Sequence, residues 1–142
     1  MLEQMKSIAD LATEMWNTGD LSRFDEIYAT NYVNHDPSRP YVVDCESLKA
    51  LIAEVRKSMP DFKSVTEDLI VENDRFVIRW VATGTHMGTL TGIPIPPTGK
   101  KITQTGMIIT RVEQGKIVEA WWNYDMLGAL QQMGVIPSAQ AT

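Results

Sequence analysis

The sequence predicts one α+β domain in which three N-terminal helices pack on a strongly curved, largely antiparallel sheet that closes over an apolar cavity sized for a small molecule. Three observations predict it. Apolar residues recur every three or four positions up to about residue 58, the period falls to two from Phe62 onward, and one short segment near the end returns to helical spacing. Helices first and hairpin-linked strands afterwards is the segregated α+β pattern. A length of 142 residues suits a single domain over 1–142, and a globule of that size buries roughly 68–70% of its unfolded surface.

Leu2, Met5, Ile8, Ala9, Ala12, Met15 and Trp16 paint one stripe along a first helix over about 2–17, which Asn17-Thr18-Gly19 stops. Asp20 is placed to cap a second, short helix carrying Leu21, Phe24, Ile27 and Tyr28. A short extended piece, Tyr32-Val33-Asn34, leads into a loop punctuated by Pro37 and Pro40. The third helix runs over about 45–58, capped by Asp44 and ended by Pro60, with Leu48, Leu51, Ile52 and Val55 inward.

Strands are predicted near 63–72, 75–86, 101–112 and 116–124, with turns at Glu72-Asn73-Asp74 and Glu113-Gln114-Gly115. Between the second and third of these, Met87 to Gly99 holds three glycines and three prolines, so it reads as a rim or a lid. Asp125 caps a final helix, Met126 to Met133, ended by Gly134, and the tail Ser138 to Thr142 is expected to fray. Alternation puts Phe76, Ile78, Trp80, Ala82, Gly84 and His86 on one sheet face, joined by Gln104, Ile108, Ala120, Trp122 and Tyr124. Large aromatics beside Ala and Gly are what a sheet folding around a hollow needs.

Net charge is −5 and the basic residues form no cluster, so no nucleic acid is expected as a partner. No run approaches the roughly 18 apolar residues of a spanning helix, and the N-terminal stripe is broken by charges, so neither membrane nor export is expected. One cysteine, Cys45, between Asp44 and Glu46, excludes an internal disulfide and suits a reducing cytoplasm. The two histidines lack a ligand spacing, so no metal is expected. Neither a dinucleotide loop nor a P-loop is present.

Five short motifs, Asn34-His35-Asp36-Pro37, Thr83 through Gly88, Gly92-Ile93-Pro94 with Pro97 through Lys100, Gly115 through Trp121, and Asp125 through Gly128 with Gln131 through Gly134, together resemble the SnoaL-like polyketide cyclases. The resemblance covers nearly the whole chain in order. It implies a cone-shaped α+β barrel of the nuclear-transport-factor-2-like superfamily, and an intramolecular aldol ring closure run without metal or organic cofactor by a pocket aspartate and a histidine. Carried over residue by residue, the aspartate falls at Trp122 and the histidine at Ile108, so the family's own acid/base pair is missing. An indole and an isoleucine exchange no proton near neutrality.

Other residues must then do the chemistry, or the cavity only binds. His35 and His86, with ordinary pKa values of about 6.5, suit proton transfer. His86 shares the Trp80 face and is expected at the cavity or its mouth, moving a proton or pinning the 87–99 loop. His35 and Asp36 form a carboxylate-imidazole pair, or Asp36 starts a turn. Trp16, Trp80, Gln104, Ile108, Trp122 and Tyr124 are the expected ligand-binding wall, with Gln104 or Tyr124 steadying an enolate oxygen. The expected ligand is a small apolar or aromatic molecule bearing a carbonyl, and the expected reaction a cofactor-free isomerisation, lyase step or cyclisation. The alternative is a binding module without catalysis. Val77, Val81, Met107, Ile109 and Trp121 on the outer sheet face call for a homodimer.

Overall fold

The computed structural model describes residues 2–137, and the tail expected to fray lies outside the described residues. Helix α1 (Leu2–Thr18) and α2 (Phe24–Ile27) precede strand β1 (Tyr28–His35) and α3 (Cys45–Ser58). Strands β2 (Lys63–Glu72), β3 (Arg75–Thr85), β4 (Lys101–Glu113) and β5 (Lys116–Tyr124) follow, and α4 (Met126–Met133) comes last. The sheet order is β1-β5-β4-β3-β2. It is an α+β fold whose helices lie against a five-stranded sheet, and among the described residues the sheet stays open, with β1 and β2 as its two edges.

The helical caps follow from local chemistry. Asp44 accepts the Ser47 N–H while the Ser47 side chain returns to the Asp44 backbone, a reciprocal box that starts α3. Asp125 accepts the Gly128 N–H, and Gly134, at φ 84°, closes α4 in the left-handed conformation. Asp20 does not cap α2: its carboxylate accepts from Ser22 N–H, and a helix of only four residues starts after Arg23 with no side-chain cap. Four residues make barely one turn, so local propensity cannot sustain it and burial of Phe24 and Ile27 does.

The largest departure from the sequence reading is β1. Its eight residues, expected as a three-residue extended piece, pair in parallel with β5, Asn34 opposite Ala120 and His35 opposite Trp121. The remaining pairings are antiparallel hairpins, so the sheet is mixed at one edge. Within the sheet the expected alternation holds except at the start of β5, where a register shift leaves both Ile117 and Val118 buried. Phe76, Ile78, Ala82, Ile102, Ile108 and Ala120 are buried against the helices, while Met107 and Ile109 are exposed on the other face.

The 87–99 segment is tied down rather than free. Met87 N–H donates to Ser58 O at 2.9 Å, Ser58 Oγ to Thr89 O at 2.8 Å, and Thr91 N–H to the Glu54 carboxylate. A Cβ on Gly88 would stand 3.0 Å from the Ser58 backbone, so a larger residue there would push the segment a few tenths of an ångström off the end of α3.

Candidate functional site

Strand geometry decides what enters the hollow between helices and sheet. Along the end of β1, Asn34 points inward, His35 outward and Asp36 inward again, because successive side chains in extended backbone alternate. Asn34 and Asp36 are buried, and His35 is not. The inward set lines one cavity of about 110 Å³.

Asp36 is the anionic group of that cavity. Its Oδ1 accepts from Ser38 N–H at 3.0 Å and Arg39 N–H at 3.1 Å, the turn expected of an Asx residue before a proline. That turn swings Arg39 back over the sheet end. Its Nη1 donates to Tyr124 Oη at 2.7 Å, and its guanidinium centre stands 5.4 Å from the tyrosine ring centroid. The Tyr124 hydroxyl in turn donates to Asp36, 2.9 and 2.8 Å from the two carboxylate oxygens. Burial first, with help from the Asp36 charge, pushes the Tyr124 phenol above its ordinary range, and Arg39 opposes this only in part. At neutral pH Tyr124 is therefore a proton-bearing donor set between a carboxylate and a guanidinium.

Beside this cluster the wall is apolar and aromatic. Trp122 donates its indole N–H to Asn34 Oδ1 at 2.8 Å, and the same oxygen accepts from Tyr32 Oη at 2.5 Å. Asn34 Nδ2 donates to Val42 O at 3.0 Å, which fixes the amide whose oxygen holds the Trp122 indole. Trp16 meets Trp122 edge-on at 5.9 Å. Trp80 lies across Gly106, where an added Cβ would stand 2.8 Å from its Cε2, closer still to its Cζ2, and 2.7 Å from Tyr124 Cβ. The Trp80 indole N–H is buried without a partner among the described residues, which costs about 1–3 kcal/mol. Leu48, Leu51 and Val55 of α3 face this wall.

The structure brings Asp36, Trp16, Trp80, Gln104, Ile108, Trp122 and Tyr124 together on this cavity. It does not bring either histidine there. His35 stands on the opposite sheet face, its Nε2 2.7 Å from Glu119 Oε2 and its ring stacked on Trp121 at 5.3 Å, so it does not pair with Asp36. The physical reason is the alternation that separates neighbours in extended chain. His86 is fully buried beyond the end of β3, off the cavity wall. Its Nδ1 accepts Thr98 N–H at 3.2 Å and lies 3.0 Å from Thr98 Oγ1, while its own backbone pairs with Lys100 and Gly99. It closes the base of the 87–99 segment, and its Nε2 has no partner among the described residues.

Asn34 and Arg39 were missed as site residues. For Asn34 a signal existed: it has the parity of Asp36. Arg39 had none beyond its nearness in sequence, because a turn rather than a period delivers it. Gln104 donates to Asp125 O at 3.3 Å and so is partly committed. Cys45 donates its S–H to Ala29 O, and burial raises its pKa, which leaves it a poor nucleophile. Among the described residues no three His, Cys, Asp or Glu side chains gather as a metal site would require, and no helix is long and apolar enough to cross a membrane.

Helices laid on an open, curved sheet with an apolar hollow between them define the nuclear-transport-factor-2-like class of cone folds. The sequence model of the SnoaL-like polyketide cyclases matches residues 6–133, and the chain belongs to that family. It is similar to IdmH of Streptomyces antibioticus, described as a candidate polyketide cyclase, at 30% identity and TM-score 0.79, over 92% of this chain and 98% of that one. It is also similar to AclR of Streptomyces galilaeus, described as a candidate hydroxylase, at 26% identity and TM-score 0.83, over 97% and 89%. A candidate polyketide cyclase of Bacillus cereus matches at 30% identity and TM-score 0.78, over 94% and 82%. No curated protein matches the chain.

Proposed function

We propose that the cavity takes up a small, mostly apolar, carbonyl-bearing molecule and moves a proton on it without a cofactor, with Asp36 as acid/base and Tyr124 as oxyanion donor. The observation that carries this is a buried carboxylate facing an apolar hollow and hydrogen-bonded to a phenol that stays protonated. Asp36 takes a proton from the carbon next to the carbonyl, and the electron pair passes to the carbonyl oxygen. The Tyr124 hydroxyl, released as Asp36 becomes protonated, turns to that oxygen while Arg39 keeps donating to it from behind. Return of the proton from Asp36 to another carbon completes an isomerisation, and attack of the enolate on a second carbonyl, whose oxygen takes the proton from Asp36, completes a cyclisation.

A second reading, a binding module without turnover, is favoured by Trp122. It fills the position to which the family's aspartate carries over, and its N–H is bound to Asn34. Incubating the protein with β-tetralone in heavy water separates the two. The acid/base reading expects deuterium to enter the ketone next to its carbonyl faster than in buffer, and about a hundredfold or more of that gain to vanish in Asp36→Asn. Binding of the ketone with exchange at the buffer rate would leave the binding module.

The same reading extends to assembly and location. Met107, Ile109, Val65 and Ile70 are exposed on the outer sheet face, and a second copy laid on that face forms a homodimer. Light scattering that finds a monomer at micromolar concentration would remove this. A lone half-buried thiol suits a reducing cytoplasm.

A further inference from the structure

Three hollows meet at one side chain. Arg39 lines the inner cavity, an outer cleft of about 380 Å³ between the 87–99 segment and α4, and a smaller hollow of about 40 Å³ that shares Met59, Phe62 and Gln104 with the inner cavity. Among the described residues it is the sole charged side chain on the walls of the outer cleft and the small hollow, and on the inner wall it is accompanied by Asp36 alone. A molecule spanning the cleft and the inner cavity would lie against its guanidinium.

That guanidinium is under-used. It carries five N–H donors, and its hydrogen bond among the described residues goes from Nη1 to Tyr124 Oη. It forms no ion pair there, whereas Arg23, Arg75, Arg79 and Arg111 each stand against a carboxylate. Asp36 does not fill the gap, because its oxygens already accept two backbone N–H groups and the Tyr124 hydroxyl, which stands between the two charges. A half-buried cation with a planar fork of free donors and apolar walls on either side is built to receive a planar anion.

We propose that the inner cavity and the outer cleft together hold one elongated, mostly apolar carboxylic acid, whose carboxylate sits in the fork of Arg39. The ring-bearing end lies among Trp16, Trp80 and Trp122, and the tail lies in the cleft against Ile93, Ile95 and Leu130. This deepens the ligand reading given above and rests on it. Arg39 is then the residue that selects for acids over neutral molecules of the same shape.

Isothermal titration of the protein with 2-benzyloctanoate, whose carboxylate stands between a ring and an alkyl tail, and with its neutral isostere 2-benzyloctanamide tests this. The acid is expected to bind about tenfold more tightly than the amide, the size of one charge-assisted bidentate contact. Arg39→Met is expected to bring the acid down to the affinity of the amide, and Arg39→Lys to keep part of the preference as a point charge. Equal affinities in the unaltered protein, or a preference for the acid that survives Arg39→Met, would overturn the proposal and leave the cavity reading standing. Failure of both compounds to bind would take down the cavity reading as well.

Discussion

The two faces of one sheet are made by the same strands and serve opposite ends. On the inner face Trp80, Trp122, Tyr124 and Asp36 surround a hollow; Tyr124 is hydrogen-bonded to Asp36 and Trp122 to Asn34, while the Trp80 indole N–H has no partner among the described residues. On the outer face His35, Glu119, Arg111 and Trp121 form a solvent-side cluster, with Arg75 stacked 5.1 Å over Trp121. Adjacent residues, His35 and Asp36, fall on different sides of this divide. The lesson is energetic. An inner polar group is deprived of water and must be satisfied or left at a cost, whereas an outer one trades its partner for solvent at little loss.

Asn34→Ala is the sharpest way to break the inner face. It strips the acceptor from both the Tyr32 hydroxyl and the Trp122 indole, two buried donors worth about 1–3 kcal/mol each when orphaned, so urea unfolding should show a loss of about 3 kcal/mol. Gly106→Ala comes next. The new methyl must push Trp80 from its bed, an overpacking of about 1–3 kcal/mol, and tryptophan fluorescence should shift with the unfolding midpoint.

Alkali tests the same face without a substitution. Burial raises the phenols of Tyr28, Tyr32 and Tyr124, so the fold keeps them protonated where an unfolded chain ionises, at about pH 10. A raised pKa gives a contribution fully present below the unfolded value and lost as pH rises toward the folded one. Stability should therefore fall above about pH 10, with phenolate absorbance from these three appearing only on unfolding.

The outer face should respond least. Glu119 is held below the usual carboxylate range, first by the hydrogen bond from His35 and then by Arg111. A lowered pKa gives a contribution present above the unfolded value of about 4.3 and lost as pH falls through the folded one. Being solvent-screened, this pair is expected to leave the unfolding midpoint of Glu119→Gln within error of the parent at neutral pH, and a clear drop would mean the outer cluster is more enclosed than its exposure indicates.

What could be read from the residues follows the range of the forces involved. The hairpins, the Asp44 and Asp125 caps and the Gly134 stop depend on neighbours a few positions away, and their chemistry is written locally. Strand β1 depends on a parallel partner some 85 residues on, Asn34 against Ala120, and its sequence of Tyr, Asn and Thr carries little apolar alternation of its own. The aromatic wall was legible because β3 alternates and Ala120, Trp122 and Tyr124 keep one parity in β5, although a register shift near Val118 brings Ile117 onto the cavity as well. The polar cluster was legible only in Asp36 and Tyr124. Arg39 arrives by a turn, and His86 leaves the wall because the strand ends one residue before it.

One measurement bears most directly on the divide between the faces: ketone deuterium exchange run side by side on Asp36→Asn and His35→Ala, whose altered residues are neighbours in the chain. The account predicts that the first falls to the buffer rate and the second keeps the rate of the parent protein. Exchange that survives in Asp36→Asn and is lost in His35→Ala would place the chemistry on the wrong side of the sheet and contradict it.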